Sequence, residues 1–142
     1  MITAILAPVV RLFRSLSKGV WLSGWLAQRR FVMNIPSEIW VSALIRRANL
    51  AGAMAVISRK GDPRAGAVLV RVWNSRAGEM KLYAEALNGE GKSIWISPIS
   101  ATTEPDIEAY VQRSIRIDPD IWVVDLEDVT GRHFLVEPVE IR

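Results

Sequence analysis

The residues able to do chemistry gather in a few short stretches. Arg59-Lys60-Gly61-Asp62-Pro63-Arg64-Ala65-Gly66 places three bases among two glycines between two β-rich runs. Glycines let a backbone approach a ligand, and Arg59, Lys60 and Arg64 can hold a phosphate or a carboxylate. Arg47, at the border of a helical apolar stripe, adds a fourth cation. These four residues are the candidate anion-binding set, with Asp62 beside them. The stretch lacks the G-x-x-x-x-G-K-[ST] pattern, and a P-loop needs a helix after its glycines. The alternative is a solvated hairpin turn whose shape Pro63 and Gly66 fix.

His133 is the sole imidazole in the chain. Any Ser-His-acid triad has to use it, yet no G-x-S-x-G elbow accompanies it. The alternative is an edge-strand histidine with a half-exposed ring. Asp118, Asp120, Asp125, Glu127 and Asp128 are dense enough for paired acid–base work. On a strand, Asp125 and Glu127 share one face with Ile121 and Val123. Trp122, inside this acidic block, is a further candidate. With Trp40, Trp73 and Trp95 it can stack on a ligand or pack in the core.

Several chemistries are excluded. There is no cysteine, so thiol nucleophiles, disulfides and thiolate metal sites are absent. One histidine cannot build a Cys/His zinc cluster within one chain. No D-x-D-x-D-G calcium loop is present. No metal and no cofactor are expected.

The positive charge is unevenly placed. The chain of 142 residues holds 18 Lys+Arg and 15 Asp+Glu, for a net +3. Residues 1–32 contain Arg11, Arg14, Lys18, Arg29 and Arg30 and no acid, so residues 33–142 hold 13 bases against 15 acids, a net −2. The basic pI of about 9.7 therefore belongs to the leader, which argues against nucleic acid as a partner of the domain. In the leader, Ile2, Ile5, Leu6, Val9, Phe13, Leu16 and Val20 share one helical face opposite Arg11, Arg14 and Lys18. Such a helix can lie on an anionic membrane surface, but its uncharged runs fall short of the ~20 residues a spanning helix needs. The leader equally fits upstream sequence attached ahead of a true start at Met33.

The elements that must position the candidates follow from residues 33–142. Ser37–Leu50 reads as a helix capped by Ser37, with Trp40, Val41, Leu44, Ile45 and Ala48 as its stripe. Period-two patterning then predicts strands Met54–Arg59 and Ala67–Trp73, joined as a hairpin, followed by Met80–Leu87 and Lys92–Ser97. Thr103, Pro105 and Asp106 predict a capping-box helix start. Asp118-Pro119-Asp120 ends that helix, and strands Ile121–Leu126 and His133–Val136 follow. The order is α-β-β-β-β-α-β-β. It predicts an α+β domain, an antiparallel sheet of five to six strands with two helices on one face.

Four blocks carry a family resemblance: Ile39–Arg47, Gly61–Val70, Asp118–Asp125 and Gly131–Leu135. In this order they resemble an uncharacterised proteobacterial family, domain of unknown function 1491. The resemblance spans about residues 35–138. It implies a start near the first helix and brings no activity.

The function read from these residues is a small cytoplasmic binding or interaction module without catalysis, its partner an unidentified protein or a small anionic ligand. One alternative is an enzyme of unassigned class using Arg, Asp and His133. Another is a peripheral membrane protein attached through residues 1–32. An exposed sheet edge would permit dimerisation without specifying it.

Overall fold

The computed structural model describes residues 35–100 and 102–141; the basic leader lies outside the described residues. Helix α1 spans Ser37–Leu50 and α2 spans Glu104–Ile117. The strands are β1 (Met54–Arg59), β2 (Val68–Asn74), β3 (Glu79–Leu87), β4 (Ser93–Ile96), β5 (Trp122–Asp128) and β6 (Val139–Glu140). They form one six-stranded sheet in the order β1-β5-β2-β3-β4-β6, in an α+β arrangement.

The pairing departs from the expected hairpin. β1 and β2 are not neighbours, because β5 lies between them, antiparallel to β1 and parallel to β2. The sheet is mostly antiparallel, but β2–β5 and β4–β6 are parallel. A parallel neighbour needs a crossover rather than a tight turn. The chain from β2 to β5 supplies it, running through β3, β4 and α2. The last strand is Val139–Glu140 and not His133–Val136. Phe134 has φ 56°, a left-handed conformation that interrupts any strand there.

The helices lie on opposite faces, where one shared face was expected. Trp40, Val41, Leu44 and Ala48 of α1 pack on Val68, Val70, Val72, Val124 and Leu126. Ile107, Tyr110 and Val111 of α2 pack on Leu69, Leu82, Ala84 and Val123. Alternate residues of β2 and β5 thus enter different cores, which is why Val68–Val70 and Ile121–Val124 read as continuous apolar runs.

Local capping also differs from the sequence patterns. Pro36, not Ser37, is the N-cap of α1. The first N–H groups of the helix donate to loop carbonyls instead, Ser37 N to Arg64 O at 3.1 Å and Glu38 N to Pro63 O at 2.9 Å. The buried Ser37 hydroxyl donates to Gly66 O at 2.7 Å. Thr103 is the N-cap of α2, but its hydroxyl meets the Asp106 carboxylate and caps no backbone N–H. Among the described residues no helix is long and apolar enough to cross a membrane.

Candidate functional site

The loop between β1 and β2 is fixed from three sides. Its Pro63 and Arg64 carbonyls receive the α1 N-terminus. Asp62 N donates to Asp120 O at 2.9 Å, and the Trp122 indole Nε1 donates to Asp62 O at 2.7 Å. The Asp62 carboxylate accepts the N–H groups of Arg64 and Ala65 at 3.1 and 2.6 Å, so it folds its own turn. A Cβ at Gly61 or Gly66 would collide with Asp120 O and the Trp122 ring. The glycines allow this close approach to the start of β5.

Two of the four candidate cations, Lys60 and Arg64, belong to this loop, and Arg59 is the last residue of β1 beside it. Arg59 Nη2 donates to Pro119 O at 2.9 Å, while its Nε is buried with no partner among the described residues. Lys60 and Arg64 are exposed. Arg47 stands apart: ten residues along α1 from Ser37, it lies about 15 Å further along the helix axis. Its Nε and Nη2 both donate to Phe134 O, at 3.3 and 3.0 Å.

His133 sits near that second location. Its Nδ1 accepts the Leu135 N–H at 3.0 Å, and its ring meets Tyr83 edge-on at 5.3 Å. Burial lowers its pKa, favouring the neutral ring. Of the other candidates, Trp122 is buried in the α1-side core and Asp62 is engaged as described. The geometry therefore joins Arg59, Lys60, Asp62, Arg64 and Trp122, and places Arg47 and His133 elsewhere.

Three assemblies lie outside that candidate set. On the α2 face, Arg71 donates to Asp125 through Nε at 2.6 Å and Nη2 at 2.9 Å, to Glu108, and to Ser58 Oγ at 3.2 Å. The sequence signal was an arginine inside the apolar run Val68–Trp73, which needs a partner once the strand is covered. In the turn after β5, the buried Asp128 accepts from Thr130 and Arg132. The Arg132 hydrogen bonds hold its carboxyl well below the usual carboxylate range, against the opposing effect of burial. Near the C-terminus, Glu137 accepts from both the Trp40 and the Trp95 indoles, at 3.0 and 2.9 Å, and these rings stack at 5.1 Å. No group of three or more acidic or histidine side chains among the described residues is arranged to hold a metal ion.

Residues 35–136 match the family described as protein of unknown function DUF1491, and the chain belongs to that family. It is similar to the crystal structure of a DUF1491 family protein from Caulobacter crescentus, with 57% identity and TM-score 0.73 over 75% of this chain and 99% of that one. An NMR structure of a DUF1491 family protein from the same organism gives 57% identity and TM-score 0.71, covering 75% of this chain and 96% of that one. A solution structure from A. tumefaciens shares 31% identity at TM-score 0.64, with the same coverage of 75% and 96%. Comparison with curated proteins finds no match.

Proposed function

We propose that this chain is a small cytoplasmic binding module without catalysis, comprising residues 33–142 behind a basic leader at 1–32. Its anion-binding surface is Arg59 at the end of β1 with Lys60 and Arg64 of the loop that follows. The observation that carries this reading is the buried Arg59 Nε, a guanidinium donor without an acceptor, beside two exposed cations on a loop held from three sides. A buried donor left unpaired costs about 1–3 kcal/mol, so an anion that reached it would recover part of that cost. Preorganisation supports the same reading, because binding would not have to order the loop. Arg47 drops out of the surface, its guanidinium already committed to Phe134 O. Family membership agrees with a domain boundary near residue 33 and adds no activity.

The enzyme alternative has weaker support. It needs His133 beside an Arg and an Asp in one cleft, and His133 instead turns Nδ1 toward its own backbone. The membrane alternative rests on residues 1–32 alone.

A thermal-shift screen of the full chain against inorganic phosphate, nucleotides and small carboxylates tests the proposal. Stabilisation by one of these anions, lost in the Lys60→Ala/Arg64→Ala variant, is expected. No shift with any of them, or one that survives the substitutions, overturns the anion-binding surface.

A further inference from the structure

The α2 face is not fully covered. The β1–β5–β2–β3 register aligns one row of side chains across four strands: Met54, Glu127, Trp73 and Met80. The row beside it runs Val56, Asp125 and Arg71. These residues, with Glu104 from the first turn of α2, line an open cavity of about 200 Å³. Met54 is 65% exposed and Val56 51%. α2 begins at Glu104 and leaves the β1 end of these rows uncovered, while β1 itself is an outer strand of the sheet.

Two properties identify what fits here. The first is charge. Glu104, Glu108, Asp125 and Glu127 surround one guanidinium, and Arg71 is already committed to Asp125 and Glu108. Glu104 and Glu127 form no ion pair with a described residue. The surface is therefore anionic and calls for a cationic occupant. The second is backbone. An outer strand presents a row of N–H and C=O groups that another strand can pair with. A second copy of this chain is a poor occupant, since the only cation its own β1 offers is Arg59, which already donates to Pro119 O.

We propose that the β1 edge and its acidic cavity dock an extended, basic peptide segment of a partner protein by strand addition. Alternate Lys or Arg side chains lay their stems on Met54 and Val56 and bring their heads to Glu127 and Glu104. The intervening apolar side chains lie on the other face, against the partly exposed Ile57. Main-chain hydrogen bonds give the affinity, and the two carboxylates select the charge. Arg59 ends β1 and borders both surfaces, but Glu104 and Glu127 lie outside the anion-binding set, so the Lys60→Ala/Arg64→Ala and Glu104→Gln/Glu127→Gln variants let either proposal fail without the other.

The test titrates full-length, isotope-labelled protein with an end-blocked alternating Lys–Val octapeptide, followed by NMR. An alternating Glu–Val octapeptide is the charge control. A Lys–Pro octapeptide, which has the charge but lacks half the N–H donors, is the strand control. Binding of the Lys–Val peptide alone is expected, with shifts at Met54–Arg59, Glu104 and Glu127 and weakening by salt. The Glu104→Gln/Glu127→Gln variant should bind it about fivefold more weakly, roughly two exposed ion pairs. Equal binding of the Glu–Val or Lys–Pro peptide, unchanged affinity in the variant, or shifts confined to other surfaces would overturn the proposal. So would β1 amides already protected from exchange in the peptide-free chain, whether by residues 1–34 or by concentration-dependent dimers.

Discussion

The two faces of the sheet are built from alternate residues of the same strands, yet they are finished differently. The α1 face is closed: α1 covers it, and Leu135, Glu137 and Val139 complete its margin with the stacked Trp40–Trp95 pair beneath. The α2 face is closed from Ile94 and Ile96 through Ala84, Leu82 and Leu69 to Val123, and then gives way to Arg71, Asp125 and Glu127. A uniformly apolar face is committed to packing. A face whose pattern breaks into charge keeps part of itself wet and free to contact something else.

Substitutions on the two faces should therefore differ in size. Leu44→Ala, on the closed face and fully buried, is expected to cost about 2–5 kcal/mol in urea unfolding. A loss under about 1 kcal/mol would mean that face is as loosely finished as the other. Arg71→Ala is expected to cost about 1–3 kcal/mol, discounted from a fully buried pair because Asp125 and Glu108 remain partly exposed. Arg71→Met combined with Asp125→Leu should recover most of that loss, since it removes the strand-borne pair together and leaves only Glu108, whose side chain is 43% exposed to water. Met54→Lys, on the open face, should stay within about 0.5 kcal/mol.

Acid titration gives a finer contrast. Asp128 is held below the ordinary carboxylate pKa of about 3.9, so its contribution is fully present above that value and is lost as pH falls through its folded pKa. His133, lowered by burial, has the same sign at higher pH: stability declines as pH drops below about 6.5. Melting temperature followed from pH 7.5 down to pH 2 should show both declines. His133→Gln should flatten only the upper one, and Asp128→Asn should flatten the acid limb while lowering stability at neutral pH.

Much of the fold was legible in the sequence. The stripe Trp40–Ala48 located α1 and the period-two runs five strands, because burial imposes those periods directly, while start and stop residues at Thr103–Asp106 and Asp118–Asp120 located α2. The position of β5 was not legible. Gly61, Pro63 and Gly66 have the composition of a hairpin turn, but the glycines are there to let Asp120 and Trp122 approach. That requirement is set by residues about sixty positions away. The final strand was placed too early because His133–Val136 has apolar content, whereas Phe134 takes a left-handed conformation held by Arg47 on its carbonyl. Of the candidate site, the loop cations were legible as neighbours in the chain. The separation of Arg47 from them was not, because it depends on which end of α1 meets the loop. The shared face of Asp125 and Glu127 was read correctly from alternation, but their partner Arg71 arrives from another strand.

The paired indoles under Glu137 also have an optical consequence. Two stacked tryptophans at this separation couple their electronic transitions, and one carboxylate from the C-terminal segment holds both ring N–H groups. Near-ultraviolet circular dichroism would then report, without any label, whether that last stretch of chain is seated. Release of Glu137 would change the signal while the rest of the sheet stayed folded.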